Sequence, residues 1–133
     1  MAKHRSPPNH CPCGSGLIRA RCCGPFLDGD AIPQTAQALM RSRYAAFVER
    51  RTDYLLNTWH PKHRPQELEL NDHQQWLGLS IRGTAGGGME DERGEVEFVA
   101  RSRVGGKGHR LHERSQFLRI DGRWYYVDGE FPG

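Results

Sequence analysis

The sequence predicts an α+β protein: a cysteine knuckle, then helices, then a curved antiparallel sheet. Three observations predict it. All four cysteines of the 133-residue chain lie between Cys11 and Cys23. Apolar residues then recur at three- and four-residue steps from Ala36 to Val48, which is the helical period. Beyond Trp76 the pattern turns to alternation broken by glycine-rich turns, which is the period of strands.

Residues 1–9 read as a disordered, polar lead. Met-Ala-Lys-His-Arg-Ser-Pro-Pro carries charge but no apolar stretch behind it, so it is no secretory signal. Residues 10–29 form the knuckle. Cys11/Cys13 and Cys22/Cys23 are two tight pairs in one short loop. Gly14 and Gly16 tolerate the positive φ of a sharp turn. Gly24 and Pro25 stop the element that carries the second pair, and Asp28-Gly29 closes the segment. Four thiols in one loop offer a sulfur tetrahedron, the preference of one structural Zn²⁺ with Zn–S distances of about 2.3 Å. A disulfide fits a secreted chain better, and a redox dithiol wants Cys-x-x-Cys, which neither pair has. Cys-x-Cys is tighter than the common zinc-finger spacing. Structural zinc is the favoured reading, with thiol–disulfide chemistry as the alternative. Arg19 and Arg21 offset the negative charge of such a site. His10 is a neighbour, but four cysteines already fill the coordination shell.

Residues 30–133 read as one domain. Pro33 and Thr35 open a helix whose stripe is Ala36, Leu39, Met40, Tyr44, Phe47 and Val48, with Arg41, Arg43, Glu49 and Arg50 mostly off it. Thr52 caps a second short helix with Leu55, Leu56 and Trp59 inward. His60-Pro61 ends it. Residues 61–74 are a polar loop. Strands are expected at Trp76–Arg82, Gly94–Arg103, Arg110–Ile120 and Arg123–Asp128. The glycines at 86–88 read as a flexible link, and residues 105–108 as a turn.

Asp121-Gly122 is a two-residue type I′ signal. It sets Ile120 against Arg123, Phe117 against Tyr126 and Ser115 against Asp128. One face of the pair then carries Glu113, Ser115, Phe117, Trp124, Tyr126 and Asp128, joined by Val96, Phe98 and Ala100. Aromatics mixed with acids and a hydroxyl are the mixture of a pocket lining. The expected ligand pocket is Tyr44, Trp59, Ser115, Trp124 and Tyr126. Glu113, Asp128, Asp53 and His60 are the candidates for moving a proton there, since a desolvated carboxylate is a stronger base. The plainer readings are an ion pair for Glu113, a turn contact for Asp128, a helix-end hydrogen bond for His60, and core packing for the tryptophans.

Formal net charge is +3, weakly basic and short of a nucleic-acid-binding composition. A thiolate-bound zinc brings it to about +1. No apolar run is long enough to span a bilayer. Clustered free cysteines without an export signal suit a reducing, cytoplasmic setting.

Cys11-Pro-Cys-Gly-Ser-Gly followed by Cys22-Cys23-Gly24 resembles the SEC-C motif, the zinc-binding tail also found at the end of the SecA translocation motor. The resemblance implies Cys11, Cys13, Cys22 and Cys23 as ligands. The loop Leu17-Ile-Arg-Ala-Arg21 departs from the lysine-rich and aromatic loop of many members, so no partner carries over with the motif. From Cys11 onward the chain resembles the bacterial YchJ family, through Thr58-Trp-His-Pro61, Trp76-Leu-Gly-Leu79, Leu111-His-Glu-Arg-Ser115 and Gly122-Arg-Trp-Tyr-Tyr-Val-Asp-Gly129. That family implies a cone-shaped domain similar to nuclear transport factor 2 (NTF2) and brings no established reaction.

Two functions are therefore expected. The first is a zinc-bearing interaction module that docks on a protein or ribonucleoprotein partner through the knuckle. The alternative is a small isomerase or dehydratase, or a small-ligand binder, that uses the cone's pocket. The lack of a convincing acid–base pair ranks the first above an enzyme.

Overall fold

Thr35 begins the main helix in the computed structural model, which describes residues 10–132. Its Oγ1 accepts the Ala38 N–H at 3.0 Å from an extended N-cap conformation, satisfying one of the helix's unpaired first-turn donors. The reading of residues 1–9 as a disordered lead lies outside the described residues.

The knuckle comes first, with a 3-10 turn at Arg19–Arg21 and a one-turn helix α1 at Gly24–Leu27. Gly24-Pro25 does not stop an element, as the sequence suggested. Pro25 stands in the first turn of α1, where its missing N–H costs nothing and its fixed φ suits a helix. Helices α2 (Ala36–Val48) and α3 (Thr52–Asn57) follow, then strands β1 (Gln74–Gly86), β2 (Arg93–Val104), β3 (Lys107–Ile120) and β4 (Arg123–Glu130). The N-cap of α3 is Arg51 rather than Thr52 and makes no side-chain cap. The four strands form an antiparallel meander in chain order. Register shifts in β1 and between β3 and β4 bend it over the helices.

At the β3–β4 turn, Asp121 and Gly122 have φ of 52° and 83°, the two positive values a type I′ turn requires. The register begins as expected, with Ile120 opposite Arg123 and Phe117 opposite Tyr126. It then shifts by one residue at Val127, so Gln116 faces Asp128 and Ser115 faces Gly129. Because side chains alternate along a strand, one extra residue exchanges the faces beyond it. Asp128 is therefore exposed, and the expected Ser115–Asp128 pairing is replaced by Ser115–Gly129. At the 86–88 glycines, Ala36 N–H donates to Gly87 O at 2.9 Å, tying the start of α2 to the sheet.

The core lies between α2, α3 and the concave face of the sheet. Val96, Phe98, Ala100, Phe117 and Trp124 are buried from the sheet, as expected. Leu39, Met40, Tyr44 and Leu55 are buried from the helices. Cys11, Cys13, Cys23 and Leu27 belong to the same buried cluster. The knuckle is packed against the domain rather than hung from it. Arg51 also joins the two, donating to Leu27 O at 3.0 Å.

Candidate metal centre and ligand cavity

The knuckle gathers its thiols through backbone bonds. Cys11 N–H donates to Leu17 O at 2.9 Å and Gly14 N–H to Cys11 O at 3.3 Å, so the first pair sits in a closed turn. Cys22 N–H donates to Arg19 O at 3.1 Å and fixes the second pair. The four Sγ atoms lie within 4.8 Å of one another, with Cys13–Cys22 at 3.5 Å and Cys22–Cys23 at 3.9 Å. A tetrahedron with metal–sulfur bonds of about 2.3 Å has edges of about 3.8 Å. The cluster is therefore of the right size and donor chemistry to hold one metal ion.

Its electrostatics ask for a cation. Thiol hydrogen bonds from Cys11 and Cys23 hold Cys13 far below an ordinary thiol. The bond with Cys13 pushes Cys11 up to about 11, and bonds to Cys11 and Cys13 push Cys23 up strongly. Thiols this close cannot all ionise unless a metal shares their charge. The expected helpers differ from those the sequence suggested. Arg19 turns to Glu49, donating through Nε at 2.7 Å and Nη2 at 2.9 Å, and Arg21 is exposed. The cation at the cluster is Arg41 of α2, whose Nη1 donates to Cys13 O at 3.0 Å and stands 3.8 Å from Cys13 Sγ.

The second site is a cavity of about 430 Å³ between the concave sheet and the helices. Its walls are mainly apolar: Met40, Phe47, Trp76, Phe98, Ala100 and Leu111. Leu68 and Leu70 come from the loop that precedes β1. That loop is held by Arg50, which donates to Asn71 O at 2.8 Å and to Asp72 at 3.2 Å.

The polar end of the cavity is built by three elements. Glu113 of β3 is 9% exposed. Its Oε2 accepts from Ser115 Oγ at 2.8 Å and from Tyr126 OH at 2.9 Å. The β4 bulge brings Gly129 against the same carboxylate, which occupies the space a side chain at 129 would need. No ion pair involves Glu113 among the described residues. Trp59 Nε1 is the one side-chain nitrogen or oxygen among them that is both sealed from solvent and unbonded. Glu113 Oε1, which takes part in no hydrogen bond among those residues, is therefore accessible on the cavity wall.

Arg43 of α2 lines the same cavity and meets the ring of Tyr126, whose hydroxyl is on this carboxylate. It is 4% exposed. Its Nη1 donates to Leu55 O at 2.8 Å and Thr58 Oγ1 at 2.7 Å, binding α2 to the end of α3. Its guanidinium carbon stands 4.7 Å from the Tyr126 ring centre and 5.4 Å from that of Trp59, a cation–π arrangement. Burial lowers its pKa to about 10, opposed by Tyr126, Tyr54 and Glu113, so it remains a cation near neutrality. Burial and the neighbouring Glu113 push Tyr126 up, and burial pushes Tyr44 up to about 12.

Of the residues read as a pocket from the sequence, Tyr44, Trp59, Ser115 and Tyr126 line this cavity. Trp124 does not: it is buried on the far side of the core, and its Nε1 donates to Gln34 O at 3.1 Å. Among the four proton-moving candidates only Glu113 lies on the wall. Asp128 is exposed because of the bulge. Asp53 is exposed on α3, where the Arg51 hydrogen bond at 3.2 Å holds its carboxyl below the usual range. His60 lies past α3, with its backbone N–H on Tyr126 O and its Nδ1 accepting from Lys62 N–H. Its ring packs on His63 and Tyr125, away from the cavity.

Arg43 is a cavity residue that sequence reasoning missed. The stripe reading sets it among residues mostly off the apolar face, yet it stands four residues from both Leu39 and Phe47 and so shares their face. That spacing was the available signal.

Residues 35–129 match the family described as YchJ, middle NTF2-like domain. A UPF0225 protein of Chromobacterium violaceum is 54% identical over 123 residues, covering 90% of each chain. One from Streptomyces coelicolor is 50% identical and covers 95% of this chain and 97% of its own. The solution structure of a SEC-C motif containing protein from Rhodopseudomonas palustris superposes with a TM-score of 0.81 at 38% identity, covering 92% of this chain and 98% of that one. A SEC-C motif containing protein from Psychrobacter arcticus gives 0.73 at 26% identity, over 89% and 80%. No helix among the described residues is long and apolar enough to cross a membrane.

Proposed function

The chain belongs to the YchJ family, with a SEC-C motif joined to an NTF2-like domain, and from that premise we propose that it is a zinc-stapled module that binds a small molecule in the cavity of that domain. One observation carries this reading: an apolar cavity of about 430 Å³ closed at one end by two buried, oppositely charged side chains, Arg43 and Glu113. Such a mixture of apolar wall and a few fixed polar groups is what ligand sites have in common. In this reading Zn²⁺ on Cys11, Cys13, Cys22 and Cys23 is structural. It holds the knuckle against α2 and supplies folding energy rather than chemistry. Four reduced cysteines suit a cytoplasmic setting.

The test is a fragment screen read by amide and indole NMR shifts. Hits that shift the Trp59 and Trp76 indoles support the reading. Shifts confined to residues 14–21, or none at millimolar fragment, count against it. Metal content of protein purified without chelator tests the staple. One zinc per chain is expected, and a Cys11→Ser variant that keeps its zinc would contradict the ligand assignment.

A second reading keeps the knuckle as a docking surface for a protein or ribonucleoprotein partner. It is favoured by Leu17, 53% exposed in the knuckle loop, and by the exposed Arg21 of the same loop. An exposed aliphatic and an exposed cation in one loop suit a protein contact. Leu17→Asp separates the readings, since it disrupts docking and leaves fragment binding unchanged. An isomerase or dehydratase would use the same cavity with Glu113 as its base, and Glu113→Gln would then abolish turnover of a carbonyl substrate.

A further inference from the structure

We propose that the cavity takes a molecule of no net charge, apolar over most of its body, whose polar head carries one hydrogen-bond donor and one acceptor, as a primary aromatic carboxamide does. This rests on the reading of the cavity as a ligand site and adds the chemical class of the ligand.

Charge is the first reason. Four charged residues line the cavity: Arg43, Arg50, Glu69 and Glu113. Their formal charges cancel. Arg50 is engaged by Asp72 and Asn71. The two buried ones, Arg43 and Glu113, are both in contact with Tyr126 at the polar end. In so desolvated a place an incoming anion gains from Arg43 and loses to Glu113, and an incoming cation does the reverse. Either also gives up its hydration. A neutral head escapes both costs.

Hydrogen-bond capacity is the second reason. Glu113 Oε2 is used by Ser115 and Tyr126, so Oε1 is the oxygen that asks for a donor. The carboxylate cannot swing away from its place toward β4, because Gly129 is already in contact with it. Arg43 spends Nη1 on Leu55 and Thr58. Its remaining N–H groups have no acceptor among the described residues, and a ligand carbonyl supplies one. The head must therefore donate and accept at once. The body meets Trp76, Phe98 and Leu111, which favour an aromatic or hydrocarbon frame.

The test uses four probes of one shape on the full chain with its metal: 2-naphthamide, 2-naphthoate, 2-naphthylmethylammonium and 2-methylnaphthalene. Binding is followed by quenching of tryptophan fluorescence and by indole NMR shifts. The amide should bind about tenfold or more tighter than either ion, as expected for one charge-assisted hydrogen bond. Glu113→Gln should then invert the order. The new side chain keeps its oxygen on Ser115 and Tyr126 and turns its NH₂ to the cavity, leaving Arg43 uncompensated. Naphthoate should gain about tenfold while the amide loses as much. That gain also reports a folded variant. If Glu113→Gln does not fold, the ranking on the unmodified protein decides alone. Tighter binding of naphthoate or of the ammonium to the unmodified protein overturns the ligand class and leaves the cavity a binding site. So does an amide affinity that Glu113→Gln leaves unchanged. If none of the four binds at millimolar concentration, the cavity reading falls as well.

Discussion

Gly129 leaves open the space that Glu113 occupies: a Cβ at position 129 would stand 2.6 Å from Glu113 Cδ and 2.8 Å from Cγ. The relationship exists because the bulge at Val127 sets Gly129, not Asp128, opposite Ser115. Gly129→Ala must push the carboxylate into the cavity or bend β4. The expected cost is about 1–3 kcal/mol, the range of an overpacked interior. In a Glu113→Ala background the same substitution should cost at least ~1 kcal/mol less, since the clash partner is gone. Urea unfolding of the four proteins measures this coupling. A coupling near zero would mean that the two side chains do not compete for one space.

Arg43 is expected to be a stability residue as well as a cavity wall. Arg43→Met keeps most of the volume, but it leaves Leu55 O with only the longer 3.4 Å bond from Thr58 Oγ1, removes the cation over the Tyr126 and Trp59 rings, and takes away the buried positive charge of the cavity's polar end. The expected loss is about 2–4 kcal/mol. Arg43→Lys keeps the charge and gives up the planar fork and the stacking, so it should fall between. Adding Glu113→Gln to Arg43→Met should recover part of the loss, because no buried charge is then unpaired. Chemical denaturation of the series reports the order. A double variant weaker than the sum of the singles would show that the two charges do not compensate each other.

Much of the frame was legible because local chemistry decided it. The Asp121-Gly122 turn allows few alternatives, and four cysteines in one short loop favour a metal site over thiol–disulfide chemistry. The alternation of Val96, Phe98 and Ala100 assigns a face without ambiguity. The cavity was half legible for a physical reason. A period-two reading carries a face assignment along a strand until something breaks the period, and a bulge does that without a polar signature. Gly129 inside a strand was the hint, since glycine there marks a bulge or a close approach. Arg43 stayed hidden because α2 is enclosed on almost every side. Ser42, Arg43 and Ala46 are buried along with Leu39 and Tyr44, so the polar residues of α2 do not mark a solvent face. The contact between knuckle and helix was invisible to pattern, because Arg41–Cys13 and Arg19–Glu49 join segments about thirty residues apart.

On the convex face of the sheet, pH should act through Glu97. Its carboxyl is held below the usual range by the hydrogen bond from His112 at 2.7 Å and by the nearby Arg114. A carboxylate depressed in the folded state adds stability that is fully present above its unfolded pKa and fades as pH falls through the folded one. Thermal midpoints should therefore drop as pH is lowered below about 4. Glu97→Gln should flatten that drop slightly and change little at pH 7, because the pair is on the surface. An unchanged acid slope would remove Glu97 from the account.

Metal removal should be felt by the whole molecule. From the sequence, the knuckle reads as separable at Asp28-Gly29, with the domain standing after chelation. The packing argues otherwise. Cys11, Cys13 and Cys23 are buried in one cluster with Leu39, Ala45 and Leu55. Arg41 donates from α2 to Cys13 O, and Glu49 at the end of α2 holds Arg19 by two hydrogen bonds. Freed of metal, the buried thiols lose the ion that lets them share charge, and the loop must open to rehydrate them. The wall of α2 that it covers is then exposed. Metal-binding energy is folding energy for such a loop, and here the loop is part of the core. Chelation, or Cys13→Ser, should lower the thermal midpoint of the tryptophan signal by several degrees, which for a domain this size corresponds to about 1 kcal/mol or more. The loss should come in a single transition, with the Glu49→Ala variant shifted the same way by less. A chelated protein whose tryptophan transition stays in place while only the knuckle unfolds would restore the two-part view.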